Sequence, residues 1–295
     1  MPQPSRDEVF ALSTPGACGR WWLAGERLFG HSCRTMVQQA KTEVKVLAGA
    51  DGAVALLLDE LCAVVQANGS DGAQRPLISF ATGDTFTAFF RALDAEMQGG
   101  RLNSNEFIGT HLDEYMGFEP KRAGGMVHEL ILRCPGVREM LARGSFLPVP
   151  CHGAEGSLRA HEERVARAGG IKLQFLGIGR NGHVAFNEPG ASFDEGYHVT
   201  MLAESTREDS KSRFVPDNPP RRAVTAGVKS ILDAERIVLC AFGPGKAEAV
   251  RTMLEGEVHP NCPASALRRH PNVLVLLDPG AASSLDAGAA AGANC

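Results

Sequence analysis

The 295-residue sequence has no C-x-x-C pair, no apolar stretch of membrane-spanning length and no excess of basic residues. Each absence excludes a class of protein. The eight cysteines, at Cys18, Cys33, Cys62, Cys134, Cys151, Cys240, Cys262 and Cys295, are scattered, so they read as free, reduced thiols and not as a disulfide framework. Cys62 and Cys240 lie in apolar runs and read as small core hydrophobes, and the Cys151-His152 step is too isolated in sequence to form a ligand cluster. A formal net charge of -4 leaves no broad basic face for nucleic acid. An anionic ligand would have to be captured by local groups, because the overall field does not attract it. The missing apolar run argues against a membrane span. Asp7 and Glu8 stand where a leader would be hydrophobic. The expected compartment is therefore the cytoplasm.

What is present reads as a globular α/β protein. Hydrophobic residues make up 44% and charged residues 22%, enough apolar material for a sizeable core. Three segments are expected: residues 1–42 as an N-terminal extension, 43–278 as the catalytic domain, and 279–295, rich in Ala, Gly and Ser, as a disordered tail. The extension holds both tryptophans, Trp21 and Trp22, and reads either as a helix docked on the main domain or as a partner contact. From Val44 onward, short apolar runs alternate with amphipathic stretches. Strands are expected at Val44–Leu47, Pro76–Phe80, Glu106–Thr110, Leu173–Leu176, Arg236–Phe242 and Val273–Leu277, and helices at Val54–Val65 and Thr85–Glu96. Such alternation implies a three-layer fold: a largely parallel, Rossmann-like sheet with helices on both faces, its ligands at the carboxyl ends of the strands.

Four loops carry chemistry. Thr82-Gly83-Asp84-Thr85 joins a strand to a helix, where free N–H groups and the helix dipole suit a phosphate. Plain turn and cap chemistry explains the same residues. Asp84 would repel a phosphate, so it must point away, cap the helix or meet another part of a ligand. His111-Leu112-Asp113-Glu114-Tyr115 offers a carboxylate able to move a proton between adjacent carbons, or simply two solvated acids. The run from Gly177 to Gly190 begins as G-x-G-x-x-G, but Pro189-Gly190 denies it the helix that a dinucleotide fingerprint requires. What remains is a glycine-rich loop presenting His183 close to Glu188, which could orient the imidazole. Arg213 and Lys246 read singly as surface cations, although Lys246 follows a Gly-Pro-Gly turn at a helix start.

Taken together, the Leu-Asp-Glu-Tyr segment, Gly-Ile-Gly-x-Asn-Gly-His-x-Ala-Phe-Asn-Glu-Pro-Gly, Ala223-Val224-Thr225-Ala226-Gly227 with Ile231–Ala234, and Ser265-Ala266-Leu267 with His270-Pro271 resemble the glucosamine-6-phosphate deaminase family. The wider group of that family includes 6-phosphogluconolactonases, and the likeness runs from about Val44 to Asp278. The resemblance implies a sugar-phosphate isomerase type of fold and conversion of glucosamine 6-phosphate and water to fructose 6-phosphate and ammonia. It implies Asp113 as the proton acceptor for enolisation, and His183 as the ring-opening base supported by Asn181 and Glu188. Thr82, Gly83, Asp84, Thr85, Arg213 and Lys246 fall at the positions that hold substrate and phosphate. No metal or organic cofactor is implied. The implied ligand is a small amino-sugar phosphate, with no nucleic acid and no membrane, and assembly into a homo-oligomer stays open. The galactosamine epimer, a lactonase and a non-catalytic sugar-phosphate-binding regulator are the competing readings. Asp84 and Phe86 depart from the usual phosphate loop, and Ala191, His198 and Thr200 stand where allosteric members carry Ser, Arg and Lys. Activation by an acetylated amino-sugar phosphate is accordingly expected to be absent.

Overall fold

The computed structural model describes residues 41–69 and 74–286. The expectations for residues 1–40 and 287–295 lie outside the described residues. Seven strands form one sheet: β1 (Lys41–Val46), β2 (Leu77–Phe80), β3 (Ile108–His111), β5 (Phe146–Leu147), β6 (Ile171–Gly177), β9 (Ile237–Ala241) and β10 (Asn272–Leu277). Their order is β1-β10-β9-β6-β2-β3-β5, and every pair is parallel. The β1 strand starts two residues inside the expected N-terminal extension, where Lys41 and Thr42 pair with Asn272 and Val273. The chain runs outward from β2 to β3 and β5, returns to place β6 beside β2, then runs the other way through β9 and β10. The two directions diverge between β2 and β6, the kind of switch point at which open α/β sheets bind ligands.

Helices pack around this sheet because their apolar residues recur every three or four positions. In α1 (Ala50–Gly69), Leu57, Leu58, Leu61 and Val65 are buried. In α2 (Thr87–Gln98), Phe89, Phe90 and Leu93 are buried. Phe89 and Phe90 meet Phe80 of β2, and Phe89 meets Phe175 of β6, at ring separations of 5.1–6.4 Å. Each buried ring contributes roughly 2–3 kcal/mol by area removed from water. The remaining helices are α3 (Met126–Arg133), α4 (Gly136–Ala142), α5 (Glu155–Arg167), α6 (Glu204–Ser210), α7 (Val228–Leu232) and α8 (Ala247–Glu255).

A second, three-stranded antiparallel sheet, absent from the sequence-based expectation, is built from β4 (Asp113–Tyr115), β8 (Arg222–Thr225) and β7 (His198–Met201), with β8 in the centre. It has its own apolar cluster, which includes Tyr115, Phe118, Phe186, Phe214 and Ala223. The start of the expected disordered tail is also ordered. Ala281 is fully buried, Leu285 packs against the core, and Ala281 N–H donates to Asp278 Oδ1 at 2.7 Å. Residues 279–286 bury their few apolar side chains on the domain, which a composition-based reading of that segment overlooks.

Candidate active site

The first three loops singled out in the sequence and the Lys246 turn follow four strands that are consecutive in the sheet, in the order β9, β6, β2, β3, whereas Arg213 lies in the helical segment directly after α6. Each loop leaves the carboxyl end of its strand. At a strand spacing of about 4.8 Å, they form a row roughly 15 Å long across the switch point.

Asp113 begins β4, two residues past β3, and is 7% exposed. Burial lifts its carboxyl from the ordinary carboxylate range to about 8. Glu114 pushes in the same direction, while the Arg213 guanidinium opposes. Glu114 points elsewhere. Its Oε1 accepts the N–H groups of Tyr115 and Met126 at 2.8 and 2.9 Å, and Oε2 accepts that of Val127 at 3.1 Å. It therefore caps α3, whose own N-cap residue, Gly125, has no side chain to do so. Burial lifts Glu114 to about 7 against these three N–H donors. The two adjacent acids thus have separate tasks: Glu114 anchors a helix and Asp113 is left to face Arg213.

The loop that follows β6 contains no helix, in keeping with rejection of the dinucleotide fingerprint. Gly179 N–H donates to His183 O at 2.9 Å. A Cβ on Gly179 would stand 2.2 Å from the His183 ring, so the imidazole lies directly over a glycine. Asn181 sits between His183 and Glu188. Its Nδ2 donates to Glu188 Oε2 at 2.9 Å, and its Oδ1 faces His183 Nδ1 at 2.8 Å. Because the carboxylate can only accept, the amide's oxygen must face the imidazole, so Nδ1 carries the proton and Nε2 keeps a free lone pair. Glu188 itself is 3.6 Å from Nδ1, and its other oxygen accepts Ala203 N–H at 3.1 Å. The orienting contact expected of Glu188 is thus made through Asn181. Burial holds the imidazole below its ordinary range, with Glu188 opposing.

This loop and Asp113 dock on the same strand end. Asp113 pairs with Thr225, whose hydroxyl accepts Phe186 N–H at 3.0 Å. Buried Asn187 donates to Ala226 O at 2.8 Å, and Ala226 N–H donates to Leu112 O at 2.7 Å.

At the loop after β2, Asp84 turns to cations. Its Oδ1 lies 2.7 Å from Arg133 Nη2 and 3.5 Å from Arg213 Nη2. Arg133 Nη1 also donates to Thr82 O at 2.7 Å, which fixes the loop's backbone. Thr82 is buried and Gly83 and Asp84 are exposed, with Thr85 between those extremes. The fourth loop is braced by Asp278, which accepts Gly243 N–H at 2.9 Å. Burial lowers the Lys246 ammonium, which is opposed by Asp209 and reinforced by Arg180.

Two residues that sequence reasoning missed stand over this row on α6. Thr206 Oγ1 lies 3.5 Å from His183 Nδ1, and Asp209 forms an ion pair with Arg180. With Ser210, which faces the Tyr115 hydroxyl, and Arg213, they recur at helical spacing along one face of a continuous helical segment. No motif marks Thr206 or Asp209. Only their spacing from Arg213 could have suggested them. A separate cavity of about 480 Å³, lined by Glu162, Tyr197, Lys229 and Asp233 among others, opens at Ile171, the opposite end of β6 from this site.

The fold and this arrangement define a parallel-sheet α/β protein whose switch-point loops gather a carboxylate, an imidazole and cations. Residues 50–276 match the model of the family of glucosamine-6-phosphate isomerases and 6-phosphogluconolactonases, and the chain belongs to that family. It is 34% identical to a glucosamine-6-phosphate deaminase of Beutenbergia cavernae, over 82% of this chain and 92% of the relative. It is 39% identical to one of Rhodopirellula baltica, over 71% and 84%. A solved monomeric glucosamine-6-phosphate deaminase superposes with a TM-score of 0.70 at 31% identity, covering 82% of this chain and 99% of its own. The 6-phosphogluconolactonase of Trypanosoma cruzi has a TM-score of 0.67 at 16% identity, over 84% and 98%, and shares the fold.

Proposed function

We propose that this chain converts glucosamine 6-phosphate and water to fructose 6-phosphate and ammonia. The observation that carries the reading is the docking of Asp113 and the His183 loop on one strand end, Thr225–Ala226, in a chain of this family. Free Nε2 of His183 takes the anomeric hydroxyl proton and returns a proton to the ring oxygen, which opens the pyranose. The Asp113 carboxylate takes the C2 proton and delivers it to C1. The intermediate enolamine becomes a 2-imine, to which water adds before ammonia leaves. The C1 carbonyl freed by ring opening makes the adjacent C2 proton removable, the substrate's own amine then becomes the imine without any cofactor, and because water enters, the deamination is hydrolytic. Arg213, Lys246 and the Thr82–Thr85 backbone hold the phosphate, which supplies orientation from a remote point. Asp84 competes with that phosphate for Arg213 until Arg133 draws it aside.

The test follows ammonia and fructose 6-phosphate together after addition of glucosamine 6-phosphate, beside Asp113→Asn. Stoichiometric release of both products by the wild type, abolished in the variant, is expected. Binding without release, followed by turnover of galactosamine 6-phosphate, would transfer the reading to that epimer. Hydrolysis of 6-phosphogluconolactone alone would make the chain a lactonase.

A further inference from the structure

Cys151 and His152 lie in the loop after β5, and in sequence they have no partner ligand nearby. The fold brings one. Glu119, in the turn after β4, places Oε1 2.8 Å from His152 Nε2 and 3.6 Å from Cys151 Sγ. All three donor atoms lie within 4.8 Å of one another. In a tetrahedral zinc centre, the usual metal–ligand lengths put sulfur and oxygen about 3.6 Å apart, and nitrogen and oxygen about 3.3 Å apart. The sulfur–oxygen separation already fits. The imidazole and carboxylate must open by about half an ångström from their ion-pair contact. With side chains 69% and 65% exposed, they are free to do so.

The backbone on either side is held. Gly117 N–H donates to Cys151 O, and Arg122 N–H to Glu119 O, both at 2.8 Å. Gly153, at φ +64°, seats the turn after His152 so closely that a Cβ there would stand 2.4 Å from Val199 Cγ2 and 3.1 Å from Met116 Sδ. The three donors therefore project from two arms of fixed course, with only side-chain rotation left to complete the geometry.

We propose that Glu119, Cys151 and His152 form a zinc site, with water as the fourth ligand, that clips the turn after β4 to the loop after β5. Magnesium and calcium take oxygen donors, whereas a thiolate with an imidazole and a carboxylate suits zinc. On binding, Sγ coordinates as thiolate and its proton passes to solvent. None of the three residues handles the sugar phosphate in the proposed reaction. The site acts on the turn that directly follows Tyr115, and zinc bound only to the folded chain stabilises it by mass action.

The test compares the full wild-type chain with His152→Ala and Cys151→Ala after chelator treatment, by zinc equilibrium dialysis, thermal melting and cobalt absorption. With eight cysteines in the chain, zinc bound elsewhere is common to all three proteins, so the difference between them is what is read. The wild type is expected to bind one equivalent more than either variant and to melt higher as zinc is added. Its cobalt form should show a stronger thiolate charge-transfer band than Cys151→Ala, by about one thiolate ligand. His152→Ala removes only an exposed side chain, so it should fold and release ammonia normally in zinc-free buffer. Equal zinc uptake and equal melting shifts in the wild type and His152→Ala, or a cobalt thiolate band of equal intensity in the wild type and Cys151→Ala, would overturn the proposal.

Discussion

Folding leaves Asp113 with a carboxyl near pH 8, far above an aspartate in water, because its negative form lacks solvent and has Glu114 beside it. The sign of the stability effect follows from proton counting. Between pH 4 and 8 the unfolded chain has lost this proton and the folded chain retains it, so stability is greatest below the unfolded pKa and falls as pH rises through about 8. Relative to Asp113→Asn, the wild type should lose up to about 1.4 kcal/mol per pH unit across that window, read from urea midpoints. The same ionisation should set catalysis. In the proposed reaction Asp113 must be ionised to take a proton, so kcat/KM is expected to rise with pH toward an inflection near 8. Arg213 opposes the upward shift, so Arg213→Gln should move the inflection higher as well as raise KM. An unmoved inflection would detach Arg213 from the base. Asp84, held by Arg133, is a like charge beside the proposed phosphate site. Asp84→Ala should lower KM for the sugar phosphate roughly two- to five-fold with little change in kcat, the modest scale reflecting an exposed group. A rise in KM would instead mean that Asp84 holds a substrate hydroxyl or amine.

At the scale of elements, the loops were legible where glycine and histidine carry the geometry, and the surrounding structure was not. The long apolar runs at β6, β9 and β10 announce buried parallel strands. The second sheet escaped notice because Asp-Glu-Tyr, His-Val-Thr-Met and Arg-Ala-Val-Thr are three or four residues long and mix charged with apolar residues. Their pairing depends on Tyr115, Phe186 and Phe214, which come together only in the fold. In the same way, the helical face carrying Thr206, Asp209 and Arg213 has meaning only once α6 stands over the histidine loop. The glycine beneath His183 gives the sharpest test at this scale. In Gly179→Ala the new methyl must push the imidazole aside, and its neighbour is the ring itself and not a flexible end. With His183 as the proposed ring-opening base, turnover should fall about 100-fold or more while the fold persists, since a displacement of about 1 Å at a catalytic group costs that much. Circular dichroism beside initial rates separates lost geometry from lost structure.

Over the whole molecule, the order of strands turns four loops distant in sequence into one row. That order is the part of the fold that periodicity alone cannot supply, because any permutation of the same strands would satisfy the same apolar pattern. The resemblance to the deaminase family carried it instead, together with the three positions at which allosteric members hold Ser, Arg and Lys. The structure gives those positions a physical reading. His198 Nδ1 lies 3.0 Å from Gly196 O, and its Nε2 is 3.5 Å from Glu195, so the imidazole at this position already faces an acid. Thr200 contributes a hydroxyl spent on Met201 O at 3.4 Å, and Ala191 contributes no polar side chain at all. An effector can shift an equilibrium only by its differential affinity for two states, and here none of the three positions carries the arginine or lysine that would generate one. The rate curve for glucosamine 6-phosphate should therefore be hyperbolic and keep its shape when N-acetylglucosamine 6-phosphate is added. A sigmoidal curve straightened by that compound would show that activation reaches the site through other residues.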